Sequence, residues 1–166
     1  MTKMKPMAKP EEHKRYWDQL KVTNPDFTKK INKGFGDITT IDPMWQIGKM
    51  TEVFGPIGEG WQWNAEYKYT DTLVFCELKL WAGSHSSLGG FGPVSSVQSL
   101  YKANGKLDDE APKKAMTDAL TKAMSHLGMS ADVFLGLHDS SKYIEKVKAD
   151  ISTANAQKVK ELKVAK

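Results

Sequence analysis

The sequence predicts an α+β fold: an antiparallel β-meander packed against one long helix, a β-β-β-α core, with short helices flanking it. Two observations carry this. Trp61, Trp63, Ala65, Tyr67 and Tyr69 alternate with Gln62, Asn64, Glu66 and Lys68, the period of a strand with one wet face. Between Lys113 and Gly136 the period becomes helical. Ala115, Met116, Ala119, Leu120, Ala123, Met124 and Leu127 fill one arc at about 100° per residue, and Lys114, Thr117, Asp118, Thr121, Lys122 and Ser125 fill the opposite one.

In chain order, residues 1–10 carry lysines and prolines without apolar period and read as a disordered N-terminus. Glu11 to Lys21 reads as a short helix with Tyr16, Trp17 and Leu20 on one side, broken by Asn24-Pro25-Asp26. Phe27 to Ile41 reads as a strand or hairpin turning at Lys33-Gly34-Phe35-Gly36. Asp42 then caps a helix that starts at Pro43, buries Trp45, Ile47, Met50, Val53 and Phe54, leaves Lys49 off the core face, and stops at Gly55-Pro56. After the strand at Trp61, the turn Thr70-Asp71-Thr72 leads to a second strand from Leu73 to Trp81. Gly83-Ser84 leads to a third, glycine-rich strand ending near Phe91-Gly92. Pro93 to Asp109 reads as a loop with a helical turn around Val97 to Tyr101. The main helix runs from Pro112 to Leu127, favoured by Asp108, Asp109 and Glu110 at its start and stopped by Gly128. Ser130 to Gly136 is apolar enough for burial, and Ser140 caps a helix carrying Tyr143, Ile144, Val147 and Ile151. The boundaries expected are therefore a single domain over 11–151 and a frayed or flexible basic tail over 152–166.

With 166 residues and 40% hydrophobic content, the chain suits one core rather than two. The net charge of +4 and pI near 9.0 are compatible with a polyanionic partner. The single cysteine, Cys76, excludes an internal disulfide and a cysteine-rich zinc site. No apolar run spans a bilayer, and the lysine-rich start lacks the apolar core of a signal peptide, so a cytoplasmic location is expected.

Gly89-Gly90-Phe91-Gly92 is glycine-dense, but it lies in a strand pattern and GxxxxGK[ST] is absent, so nucleotide hydrolysis is not expected. Glu77-Leu78-Lys79 places a carboxylate and an ammonium on one strand face, as a metal-dependent nuclease could use. Asp71 on the same strand would lie about 20 Å away, so Glu59 or Glu66 would have to complete such a site. Charge alternation on a wet strand face is the simpler reading. His13, His85, His126 and His138 share no ligand spacing, and no metal or cofactor is expected. Lys102, Lys106, Lys113, Lys114 and Lys122 line the polar edge of the main helix and its approach, where they suit a sugar-phosphate backbone. The spacing of Lys114, Asp118 and Lys122 equally suits a self-neutralising surface ladder.

The run KKAMTDALTKAMSHLGMSADVFLGLHDSSKY, preceded by TTIDPMWQIGKMTEVFGPIGEGWQW and the Gly89 to Gly92 segment, resembles the single-strand annealing proteins of the Rad-fifty-two superfamily, in the branch found in phages. The resemblance covers roughly residues 27–148. It implies an oligomeric ring or helical filament that binds single-stranded DNA in a basic groove and anneals complementary strands without ATP. It also implies work alongside a phage exonuclease or a host single-strand-binding protein, in the cytoplasm of a bacterial host. By position, Lys122 matches a basic residue of the inner groove, Lys113 another on its approach, and Lys102 a lysine of an outer DNA site. The paired basic residues of the family's main helix become Thr121-Lys122 here, and an arginine of the earlier helix falls at Trp45. Lys49, Lys114 or Trp45 is then expected to compensate. A non-annealing single-strand-binding or scaffold protein and the Glu77/Lys79 nuclease remain the alternatives.

Overall fold

The computed structural model describes residues 12–34, 36–83 and 90–164. The expected disordered N-terminus, His85 and Gly89 lie outside them. Helix α1 (Arg15–Leu20) is followed by a 3-10 turn at Pro25–Phe27, where Asn24 accepts from the Asp26 N–H. Strands β1 (Thr28–Asn32) and β2 (Asp37–Ile41) pair antiparallel with Ile31 opposite Ile38, forming the expected hairpin. Helix α2 (Pro43–Phe54) starts where proline fits and where the Asp42 carboxylate accepts from the N–H groups of Met44 and Trp45.

The meander is β3 (Trp61–Tyr69), β4 (Leu73–Ala82) and β5 (Phe91–Ser99), antiparallel in the order β3-β4-β5. The first two strands match the alternation. The third differs: it begins at Phe91, where a strand was expected to end, and continues through the segment read as a loop with a helical turn. Its core positions are Val94, Ser96 and Gln98, which face Leu78, Cys76 and Val74 across the ladder. Too few of them are apolar to give an alternation signal, and Gly92-Pro93 looks like a breaker until β4 is there to pair with.

Helix α3 (Ala111–His126) lies across β4 and β5 with Ala115, Ala119 and Ala123 fully buried, so the alanine stripe is the close-packing seam. Val74, Cys76, Leu78 and Leu80 project from β4 into the same core, which α1 and α2 close with Leu20 and Met50. Gly128 ends α3 with φ +100°, and a Cβ there would sit 2.8 Å from the Trp17 Cα, so glycine both permits the turn and lets α1 approach.

Beyond α3 the chain makes α4 (Ala131–Phe134), a 3-10 turn at Leu137–Asp139 and α5 (Ser141–Val164). Burial of Ser130 to Gly136 is only half realised: Ser130, Ala131 and Asp132 are buried, whereas Phe134 and Leu135 are exposed. Ser140 accepts from the Tyr143 N–H at the start of α5, as its capping role requires. The helix then passes Ile151 without a break and runs to Val164, where a frayed helix or a flexible tail was expected from residue 152. Residues 152–164 contain alanine, lysine, glutamine and glutamate and no glycine or proline, which favours continuation even without burial. Among the described residues no helix is long and apolar enough to cross a membrane.

Candidate functional site

The polar face of α3 does not lie open. The β1–β2 hairpin stands opposite it, and between them is a groove of about 750 Å³. One wall is Lys113, Lys114, Thr117, Asp118 and Thr121 of α3; the other is Lys33 and the residues of β2 from Asp37 to Ile41. Pro43, Val133, Phe134 and Asp139 close its sides. The hairpin is tied to the rest by Lys30, whose ammonium lies 3.8 Å from Asp139.

Lys113, Lys114 and Thr121 share the groove. Lys113 is three-quarters exposed and 3.5 Å from Glu110. Lys114 is held harder, with Nζ 2.7 Å from Asp108 Oδ2. The hydrogen bond from Lys114 holds the Asp108 carboxyl below its usual range, and the same bond raises the Lys114 ammonium. Lys122 stands on the next turn outside the groove lining and pairs with Asp118, which does line it, at 3.3 Å. The expected three-member ladder is thus divided, because Lys114 turns to Asp108 instead.

Thr121 behaves differently from a phosphate donor. Its hydroxyl donates to Gln46 Oε1 at 3.2 Å, and Gln46, fully buried on α2, donates onward to the Ser130 hydroxyl at 3.4 Å. Thr121 therefore shapes the wall with its proton already committed. Lys102 and Lys106 lie together in the turn before α3, joined by a backbone bond from Lys102 N–H to the Lys106 carbonyl, with the Lys102 ammonium 4.0 Å from Asp109. Lys49 pairs with Glu52 on α2 at 3.0 Å, and Trp45 stacks on Phe27 with ring centroids 6.2 Å apart. Neither lines the groove.

Sequence reasoning missed Lys33, Thr39, Thr117 and Phe134. Phe134 is 56% exposed and presents a ring at the groove wall. The sequence gives no signal for it, since Ser130 to Gly136 reads as a buried segment and the four-residue α4, too short to bury both of its sides, exists only in the fold. The groove walls carry three lysines and four carboxylates, Asp37, Glu110, Asp118 and Asp139, so their charge is close to balanced. What they offer is a set of ammonium groups, an apolar floor from Ile38, Ile41 and Val133, and one open aromatic face, which suits an extended chain with alternating charged and flat apolar groups.

Glu77 of the alternative site takes part in a cross-strand ion pair. Lys68 Nζ lies 2.9 Å from both Glu77 carboxylate oxygens. Glu66 sits opposite Glu77 in the ladder, as a two-carboxylate site would need, and Asn64 sits opposite Lys79. Asp71 is in the β3–β4 turn, and among the described residues no three His, Cys, Asp or Glu side chains gather as a metal site would require. His138 is buried and bonded to Asp132 at 3.0 Å, and His126 stacks on Phe91. Neither the protein-family models nor the curated proteins compared with this chain match it.

Proposed function

We propose that this protein binds single-stranded DNA and anneals complementary strands without ATP, working as a multi-subunit assembly. The observation that carries the reading is the groove between α3 and the β1–β2 hairpin, whose lining includes both Lys33, Lys113 and Lys114 and the exposed Phe134. Ammonium groups neutralise phosphates without reading sequence, an aromatic face holds a base by stacking, and the complementary strand then supplies specificity by pairing. Among the described residues the outer edge of β5 has no partner strand and that of β3 only an isolated bridge between Ile57 and Trp61, which supports contact between copies.

Labelled complementary strands incubated with the protein, with and without magnesium, test the reading. Annealing gives duplex in both conditions without ATP. Bound but unpaired strands would favour a coating protein, and magnesium-dependent cleavage would favour the nuclease centred on Glu77. The site itself is tested by Phe134→Ala and Lys113→Ala, both at exposed side chains. Loss of one stacking contact is worth about 1–3 kcal/mol, so Phe134→Ala is expected to weaken strand binding by a factor of about 5 to 150. Unchanged affinity in both variants at low salt removes the groove as the site.

A further inference from the structure

The lysines that approach the groove from α3 and its preceding turn are largely matched by nearby carboxylates: Lys102 with Asp109, Lys113 with Glu110, Lys114 with Asp108, and Lys122 with Asp118. Lys33 in the groove and Lys106 on its approach have no such partner among the described residues, and the largest group of unmatched ammonium groups lies on α5. On α5, Lys142, Lys146, Lys160 and Lys163 are exposed and, among the described residues, have no carboxylate within ion-pair distance. Helical geometry puts these four within an arc of about 100°, on the side away from Tyr143, Val147 and Ile151, and spreads them over roughly 32 Å of axis. Ala149, Thr153 and Ala156 lie between the two pairs, and Glu145 is the only acidic residue on that edge.

Helix stabilisation does not account for this placement. Lysine is favoured in the last turns of a helix, which covers Lys160 and Lys163, but Lys142 and Lys146 occupy the first two turns, where the dipole disfavours a cation. Nor is the outer half of α5 built to sit on a membrane or in a coiled coil. Val159 and Leu162 lie one turn apart on one side with Val164 turned away from them, and Asn155 and Lys158 interrupt the apolar line between Ile151 and that pair. A row of unmatched ammonium groups separated by small side chains, with no aromatic ring among them, complements a phosphodiester backbone and ignores its bases. The helix also begins at the groove, since Asp139 lines it and α5 starts two residues later.

We propose that the Lys142/Lys146/Lys160/Lys163 edge of α5 is a second contact surface for single-stranded nucleic acid, holding the backbone of a strand whose other part lies in the groove. This rests on the functional reading above. The test uses the full chain and a fluorescent oligothymidylate, with the dissociation constant measured across a series of potassium chloride concentrations. Replacing all four lysines by glutamine keeps helix-forming side chains, which circular dichroism verifies. It is expected to lower the slope of log affinity against log salt by about 3, because each phosphate contact contributes about 0.7 for a single strand. Lys160→Gln/Lys163→Gln, at the outer end where no core packing is at stake, is expected to give about half that change. Wild-type binding with the same slope in both variants overturns this surface and leaves the groove reading standing. Absence of wild-type binding at low salt overturns both. Vesicles containing phosphatidylserine serve as a parallel probe: capture that the four-lysine variant loses, with oligothymidylate binding unchanged, assigns the edge to a lipid surface and overturns the proposal.

Discussion

Asp132 is almost fully buried, and its carboxylate accepts from Thr23 N–H at 2.9 Å, Thr23 hydroxyl at 2.7 Å, Val133 N–H at 2.9 Å and Tyr143 hydroxyl at 3.0 Å, with His138 Nε2 also 3.0 Å away. One side chain therefore joins the segment after α1, the start of α4, the 3-10 turn and α5. It also positions the chain on both sides of Phe134 and Asp139, which border the groove. Burial, then the charge of Asp132 and the bond to it, push the Tyr143 phenol up to about 12. A raised folded-state value means that the neutral phenol is favoured in the folded protein. Its contribution is complete below the ordinary value of 10.0 and is lost as pH rises through the folded value. Urea midpoints measured between about pH 9 and about pH 11.5 are expected to fall more steeply for wild type than for Tyr143→Phe. Parallel curves would show that Tyr143 does not report on this node.

At the scale of elements, α3 has two duties that its sequence separates cleanly. Ala115, Ala119 and Ala123 bring the helix backbone down onto β4 and β5, while Lys113, Lys114 and Thr117 form the groove wall on the other side. Because every alanine of the stripe is fully buried, a larger side chain has nowhere to go without lifting the helix. Ala119→Leu is expected to destabilise the protein by about 1–3 kcal/mol in urea unfolding. An unchanged midpoint would mean that the seam is loosely packed. The hairpin contrasts with this. It is a two-stranded sheet that, among the described residues, contributes none to the fully buried core, yet it forms one wall of the groove, so its value lies in the surface it presents.

For the molecule as a whole, the proposed annealing reading calls for several copies acting together, because one groove of about 750 Å³ holds only a short stretch of strand. Light scattering and particle images are expected to show assemblies well above the 18.6 kDa chain, enlarged or ordered by single-stranded DNA. A protein that stays monomeric both alone and on DNA would count against that reading. The sequence by itself determined the helix boundaries of α2 and α3, the first two strands and the alanine seam. These follow from local caps and from periods of 3.6 and 2 that a single element displays on its own. It also placed Lys113 and Lys114 on the face that borders the groove. The tertiary structure alone decided three further matters. Strand β5 exists because β4 is there to pair with it, despite the weak pattern of Val94, Ser96 and Gln98. Phe134 is exposed at the groove because α4 is too short to bury both of its sides. Lys102 and the lysines of α3 found carboxylates within reach whereas Lys142, Lys146, Lys160 and Lys163 of α5 did not, and ion pairing depends on distances that linear spacing does not fix.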